Sequence, residues 1–376
     1  MNASLPVVAL VAASLWLAAG RSLQMPRPSS SRTAATDTAC VADLDSMAVT
    51  LRRDYPGYRQ KVSGHAGELA ALTNSVQAAA STADGYVECV RALQRWVHFF
   101  HDPHMVGPWQ ASKPAAGSHD SAASALASTG APRDDPDRPT LRRADDSTLI
   151  LRLPNFDLPY RPLIDSLIES RRSVLLSTPY LIVDVRGNGG GCTCSFEALS
   201  RLLYAGPVRE PGSDVLASKA NLAWFQGWLD LDVLPAPDAA TIRAAVARMR
   251  AHPGQLVAFS PDTMIRRDTV FPRPRAVALL VDGGCASSCE DLVQEARQSR
   301  KVTVMGAEHT AGVYDFGNIR KVYLPGYRQM MIPTTRTRGP HIDGVGFKPD
   351  VHISKDAKDA VAFARHWLES RPRPRR

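Results

Sequence analysis

Several familiar motifs are missing from this 376-residue sequence. It contains neither the G-x-G-x-x-G turn of dinucleotide-binding domains nor the G-x-x-x-x-G-K phosphate loop, and it has no H-E-x-x-H zinc motif. Aromatic residues make up only 7% of the chain, and they are not interleaved with the scattered lysines and arginines. We therefore expect no cofactor and no nucleic-acid partner, although the formal net charge is +8.

The N-terminus also lacks basic residues before its first apolar run, LPVVALVAASLWLAAG. An apolar segment closed by small residues is typical of a cleaved secretory signal, so we expect residues 1–20 to be a signal peptide. Residues 21–37 then form a disordered leader. These assignments predict an exported protein, periplasmic or extracellular. The alternative, suggested by the weak basic region, is an uncleaved segment that anchors the chain in a membrane.

Cysteines are few, and all six lie beyond the signal segment: Cys40, Cys89, Cys192, Cys194, Cys285 and Cys289. An even number in an oxidising compartment predicts disulfides. The first two fall in one helical segment and are candidates to pair, and we expect the clusters CTC and CASSC to pair across. Zinc binding is the alternative, but neither cluster has the two-residue gap usual in zinc ribbons.

Hydrophobic periodicity divides the rest of the chain. Residues 38–105 place apolar side chains three and four apart, which predicts a helical subdomain. Residues 106–146 read as a linker because they contain a small, polar, proline-punctuated tract. Residues 147–360 alternate apolar strands with amphipathic helices, which indicates an α/β domain with a sheet covered on both faces. Residues 361–376 end in RPRPRR, a basic tail suited to peripheral contact with an anionic membrane surface.

Three turns in this pattern carry candidate chemistry. The turn RGNGGG follows a strand, and its glycines allow close approach of backbone N–H groups to a ligand. Ser287 and Ser288 open a helix, where a serine is either a nucleophile or, more commonly, an N-cap. His104 follows Pro103 in HDPHM, and the proline ends the preceding helix. His98, His101 and His104 could alternatively form a metal site of a hydrolase.

Four motifs in order resemble the tail-specific (C-terminal-processing) and tricorn family of serine peptidases. They are DVRGNGGG, GCASSCE, GAEHTAG and GVGFKPD, and the similarity runs from about residue 40 to residue 355. The resemblance implies the family's core of strand–strand–helix units, akin to ClpP and crotonase, behind a small N-terminal helical subdomain. It also implies a peptide or protein substrate.

Matched residue by residue, the family's nucleophile falls on Ser287. Its oxyanion donors fall on a glycine N–H, of Gly190 or Gly191, and on the N–H of Ser288. The tricorn-like branch takes a histidine base from the helical region, which corresponds here to His104.

The same branch orients its histidine with an acid just before G-V-x-P-D. That acid falls on Asp343, with Glu308 as the second choice. A histidine accepts the hydroxyl proton at neutral pH, and a carboxylate stabilises the imidazolium that results.

The chain also departs from the processing-protease branch. Gly312 or Val313 stands where that branch has its lysine base. The interval after the helical subdomain is too short and too polar for a PDZ domain, so recognition of substrate C-termini is not carried over. If the resemblance holds, a disulfide between CTC and CASSC would fix the nucleophile against the oxyanion glycines.

The resulting hypothesis is an exported serine endopeptidase that acts through a Ser–His–acid arrangement and an acyl-enzyme. The alternative is a catalytically inactive ligand- or peptide-binding protein on the same fold, since a fold alone does not fix function. The sequence does not define the substrate or the oligomeric state.

Overall fold

The computed structural model describes residues 38–110, 135–232, 234–354 and 359–370. The expected signal peptide, the leader, much of the linker and the last part of the basic tail lie outside the described residues. Among the residues described, no helix is both long and apolar enough to cross a membrane.

Four helices form the N-terminal region: α1 (Thr38–Asp54), α2 (Tyr58–Val62), α3 (Ala66–Ser81) and α4 (Tyr86–His98). Helix α4 buries Cys89, Leu93, Trp96 and Val97, the three-and-four spacing that one helix face requires. A disulfide joins Cys40 in α1 to Cys89 in α4, so the expected pairing of these two cysteines is confirmed.

The central sheet has six strands in the order β13-β10-β9-β4-β3-β2. All neighbours pair in parallel except β2, which runs antiparallel to β3. The strands are β2 (Thr140–Arg143), β3 (Thr148–Arg152), β4 (Tyr180–Asp184), β9 (Ala276–Leu280), β10 (Val302–Gly306) and β13 (Val351–His352).

Helices cover both faces of this sheet. The helices are α5 (Arg161–Ser170), α6 (Arg172–Ser177), α7 (Glu197–Leu203), α10 (Ser288–Ala296) and α11 (Ala360–Ser370). Along β4, Leu181 and Val183 face the core shared with α5–α7 and α10, whereas Ile182 faces the core shared with α11. Burial on both faces explains the continuous apolar strands in the sequence. The expected α/β core behind an N-terminal helical region is confirmed.

A second, antiparallel sheet links this core to the N-terminal helices. Its order is β1-β12-β6-β7, and β11 pairs with the other edge of β12. Its strands are β1 (Val106–Gln110), β6 (Ser213–Leu216), β7 (Leu256–Ser260), β11 (Phe316–Tyr323) and β12 (Arg328–Thr337). Phe316, Met330 and Ile332 from the β11–β12 hairpin complete the hydrophobic core of helices α1–α4.

Helices α8 (Lys219–Asp230) and α9 (Ala236–Ala251) pack on β6 and β7, and they bury Phe225 and Trp228. A small ribbon of β5 (Val208–Glu210) and β8 (Thr263–Ile265) lies beside them. Because β4 and β9 are parallel neighbours, the loops at their carboxyl ends meet at one edge of the central sheet. The glycine loop follows β4, and the serine turn follows β9.

Candidate active site

Ser287 lies at the turn between β9 and α10. Its backbone has φ 54° and ψ −121°, a conformation that is uncommon for any residue except glycine and costs about 1–3 kcal/mol. The turn is held on two sides, because Ser287 N–H donates to the carbonyl oxygen of Val313 and Ala286 N–H donates to that of Asn188. Strain of this kind, kept in place by the surrounding structure, is typical of functional residues.

The side chain of Ser287 does not cap helix α10, although the residue occupies the cap position. Its Oγ instead lies 3.4 Å from Nε2 of His104, 183 residues earlier in the chain. Ser288, the neighbouring serine, points elsewhere and donates its hydroxyl proton to the carbonyl oxygen of Gly191 at 2.7 Å. The two adjacent serines therefore have different contacts, and only Ser287 faces a base.

His104 reaches this position from the loop between α4 and β1. The side chain is buried, and burial lowers the pKa of its imidazole to about 4, so the ring is neutral and able to accept a proton at pH 7. Its Nδ1 has no hydrogen-bond partner among the described residues. His98 and His101 are exposed, whereas His104 is buried. In the described part of the chain, no three metal-binding side chains are grouped closely enough to hold an ion.

Asp343 lies in the loop before β13. Its Oδ1 accepts hydrogen bonds from the backbone N–H groups of Tyr314 and Asp315 at 2.9 and 2.7 Å. Its Oδ2 is buried and has no partner within the described residues. Burial, together with the nearby charge of Asp315, raises the pKa of Asp343 to about 6. Glu308, the second candidate acid, is exposed, and its Oε1 accepts the N–H of Gly283 at 3.1 Å.

The glycine loop packs directly against the serine turn. A Cβ on Gly190 would lie 2.9 Å from Cβ of Ser287, and a Cβ on Gly191 would overlap the backbone of Phe156, so neither position accepts a larger residue. The N–H of Gly190 is occupied by Oδ1 of Asn188 at 2.9 Å. By contrast, the N–H groups of Gly191 and Ser288 have no acceptor among the described residues.

Asn188 and Glu290 are structural supports that the sequence reasoning did not single out. The side chain of Asn188 is fully buried, and its amide nitrogen donates to the carbonyl oxygen of Leu153, which fixes the orientation of the glycine loop. Glu290 is also fully buried, and its carboxylate accepts the N–H groups of Gly312 and Val313. The glutamate of the GCASSCE motif was the available signal for this role.

The predicted cross-pairing of the two cysteine clusters is wrong. Cys192 pairs with Cys194, and Cys285 pairs with Cys289, so each disulfide is local to one turn. Cys285 and Cys289 flank Ser287 and bridge one turn at the start of α10. The serine turn and the glycine loop are joined by hydrogen bonds and packing, and no disulfide connects them.

A cavity of about 370 Å³ opens beside the pair of Ser287 and His104. The glycine loop, α10, the β5–β8 ribbon and the hairpin β11–β12 contribute to its walls. Its carboxyl-bearing lining residues are Glu197, Glu210, Asp238, Asp291 and Glu295. Its volume lies at the lower end of the range of ligand-binding pockets, and Ser287 is part of its lining.

The mixed α/β core thus places a serine in a strained turn beside a buried, neutral histidine. Residues 147–353 match the family model described as Peptidase family S41, which covers more than half of the chain. The chain therefore belongs to peptidase family S41, and the resemblance inferred from the four motifs is confirmed.

Solved structures agree on the fold. Mature CPAF complexed with lactacystin superposes with a TM-score of 0.59 at 12% identity, covering 89% of this chain and 97% of that one. A protein from Parabacteroides merdae ATCC 43184 superposes with a TM-score of 0.55 at 13% identity, covering 90% of this chain and 97% of that one. Among curated proteins, none matches the sequence.

Proposed function

We propose that this protein is an exported serine endopeptidase in which His104 activates Ser287 and Asp343 stabilises the charged histidine. The observation that carries the proposal is the contact of 3.4 Å between Ser287 Oγ and His104 Nε2, made at a strained turn that points the hydroxyl away from its helix. A strained serine that does not cap its helix is better explained as a nucleophile than as a structural residue.

The reaction follows from these positions. Ser287 Oγ attacks the carbonyl carbon of a peptide bond while His104 Nε2 takes the hydroxyl proton. The negative charge then develops on the carbonyl oxygen, where the N–H groups of Gly191 and Ser288 are available as donors. His104 returns the proton to the leaving amine as the C–N bond breaks, which leaves an acyl-enzyme. Water, deprotonated by His104, hydrolyses the ester and restores the serine.

Asp343 supports the histidine in this proposal. His104 Nδ1 and Asp343 Oδ2 are both buried atoms without partners among the described residues, and one is a potential donor while the other is an acceptor. Hydrogen bonds of catalytic groups are often long in free enzymes and tighten when substrate binds. A carboxylate near the ring would stabilise the imidazolium, whose formation burial otherwise opposes. Glu308 is less suited, because it is exposed.

Export is supported by the three disulfides among the described residues, since such bonds persist mainly in oxidising compartments. It also accords with the apolar segment in residues 1–20 of the sequence.

Labelling with a fluorophosphonate probe tests the mechanism. We expect the wild type to label, Ser287→Ala and His104→Ala to lose labelling, and Ser288→Ala to keep it. Ser288→Ala is the matched control, because it removes the neighbouring hydroxyl but leaves the backbone N–H in place. Cleavage of an unstructured protein, with the new termini read by mass spectrometry, would then establish endopeptidase activity.

If the folded wild type does not label, the serine mechanism is wrong. The alternative of a binding protein on the same fold would then explain the absence of a partner for His104 Nδ1 better than a catalytic site does.

A further inference from the structure

Asp102 lies two residues before His104 and is buried, with a relative exposure of 6%. Both oxygens of its carboxylate accept hydrogen bonds. Oδ1 accepts the backbone N–H of His104 at 2.9 Å, and Oδ2 accepts the hydroxyl of Tyr55 at 2.8 Å. The first bond closes an Asx turn, in which an aspartate side chain fixes the backbone two residues ahead.

Tyr55 gives this carboxylate a rigid point of attachment. It follows helix α1, is 1% exposed, and packs its ring at 5.2 Å from Phe316 and 6.0 Å from Phe100. The Cα of Gly57 lies so close that an added Cβ would contact the hydroxyl end of the ring. The hydroxyl is therefore fixed by the core of the N-terminal helices.

The imidazole of His104 needs such support from its backbone. In most Ser–His pairs a hydrogen bond to Nδ1 orients the ring. Here Nδ1 has no partner in the described residues, and the ring is on a loop that begins after α4 and contains His101 with φ 43°. Among the described residues, two side chains form hydrogen bonds with His104. Ser287 contacts the imidazole, and Asp102 accepts the backbone N–H.

From this geometry we infer that Asp102 is a positioning residue, which ties His104 to Tyr55 in the N-terminal helices and so sets the distance between the histidine and Ser287. This inference rests on the proposed serine mechanism. It also gives the N-terminal helical region a role in the reaction: its core fixes the base, whereas the α/β core fixes the nucleophile.

The experiment measures inactivation by a fluorophosphonate over a range of probe concentrations, which separates the maximal rate from the half-saturating concentration. For Asp102→Ala we expect the maximal rate per folded molecule to fall about 10²-fold, because a shift of about 1 Å in a catalytic group has effects of this size. The half-saturating concentration should stay unchanged, since Asp102 does not line the cavity.

Asp102→Asn is the conservative variant, because its amide oxygen accepts the N–H of His104 and its amide nitrogen donates to the oxygen of Tyr55. It should restore the maximal rate to within about threefold of wild type, since the interrupted hydrogen bonds are replaced by bonds of similar strength. Tyr55→Phe removes only the hydrogen bond from the hydroxyl of residue 55 to Asp102. Its maximal rate should lie between the rates of Asp102→Asn and Asp102→Ala.

Asp43→Asn is the matched control. Asp43 is also buried and accepts hydrogen bonds from Gly326 and Arg328, which lie in the β11–β12 hairpin. It should lower the stability of the same region without changing the maximal rate per folded molecule.

A wild-type maximal rate in Asp102→Ala would overturn the positioning role and leave the serine mechanism intact. A rate in Asp102→Asn as low as in Asp102→Ala would also overturn it, because the hydrogen bond would then not be the cause. If Asp102→Ala does not fold, the two other variants decide. A maximal rate in Tyr55→Phe that is not lower than in Asp102→Asn would then overturn the positioning role. If the wild type itself does not label, the serine mechanism and this inference both fail.

Discussion

Replacing Gly190 with alanine should displace the serine turn that packs against the glycine loop. Gly190 has φ 101°, and an added Cβ would lie 2.8 Å from the carbonyl oxygen of Ala286, 2.9 Å from Cβ of Ser287 and 3.0 Å from the N–H nitrogen of Ser288. Contacts below about 3 Å force a shift, and none of these atoms is the end of a flexible side chain. The serine turn must therefore move away from the loop.

The magnitude has two parts. The positive φ costs a non-glycine residue about 1–2 kcal/mol. Forcing an extra carbon into a packed interface costs about 1–3 kcal/mol. We thus expect Gly190→Ala to lower the free energy of unfolding by about 3 kcal/mol in total, within the range of severe single substitutions. Displacement of Ser287 should also lower the rate of fluorophosphonate labelling per folded molecule about 10²-fold.

Two neighbouring glycines provide controls for these two parts. Gly187 has φ 75°, but an added Cβ would meet nothing within 4 Å, so Gly187→Ala tests backbone strain alone. Gly189 has neither a positive φ nor a close neighbour for a Cβ, so Gly189→Ala should be nearly neutral. Urea denaturation gives the stabilities, and probe labelling gives the rates. Labelling of folded Gly190→Ala at the wild-type rate would refute the claim that this glycine sets the position of Ser287.

Three further predictions follow from charges and bonds in the structure. The labelling rate should fall as pH drops through about 6, where Asp343 becomes protonated, and Asp343→Asn should remove this step; an unchanged profile would exclude Asp343 as the supporting acid. Burial raises the pKa of Glu210 to about 8 and of Asp291 and Glu295 to about 7, so their contribution to stability is complete at low pH and is lost as pH rises from about 4 to 8. The free energy of unfolding of Asp291→Asn should therefore fall less than that of the wild type between about pH 4 and about pH 8, and an identical pH dependence of the two proteins would contradict this assignment. Peptide mapping under non-reducing conditions should find the Cys192–Cys194 and Cys285–Cys289 disulfides. A disulfide-linked pair of peptides, one containing CTC and the other CASSC, would contradict this local pairing.

The parallel sheet was predictable because its strands are buried on both faces. Ala276–Leu280 is apolar throughout and Tyr180–Asp184 is apolar up to its last residue, and each segment is followed by a turn and a helix. The antiparallel sheet has a weaker signature in the sequence. Residues Ser213–Leu216 form a strand of four residues that starts with a serine and an aspartate, and Val106–Gln110 contains glycine and proline. Both strands pair with β12, and local sequence carries little signal for such pairing.

The candidate site was also predictable from the sequence only in part. Ser287 and His104 were predicted from the motifs, and the structure brings their side chains together although 183 residues separate them. The pairing of the four cysteines in CTC and CASSC was not predictable, because it depends on distances between Cα atoms. Cys192 and Cys194 lie 5.1 Å apart, and Cys285 and Cys289 lie 5.3 Å apart, so each cysteine finds a partner within its own turn.

Polar side chains, rather than covalent bonds, hold the separate parts of the site in register. Asp102 and Asn188 each accept the N–H of the residue two positions ahead, His104 in one case and Gly190 in the other. These two Asx turns shape the loop of the base and the loop of the oxyanion glycines by the same local mechanism. Each residue then uses its remaining atoms for a distant contact, with Tyr55 or with the backbone of Leu153. Because both the local and the distant bond depend on one buried side chain, a change at either position alters the shape of a loop and its attachment together. Asp102 and Asn188 should therefore tolerate substitution less well than their distance from the reacting atoms would suggest.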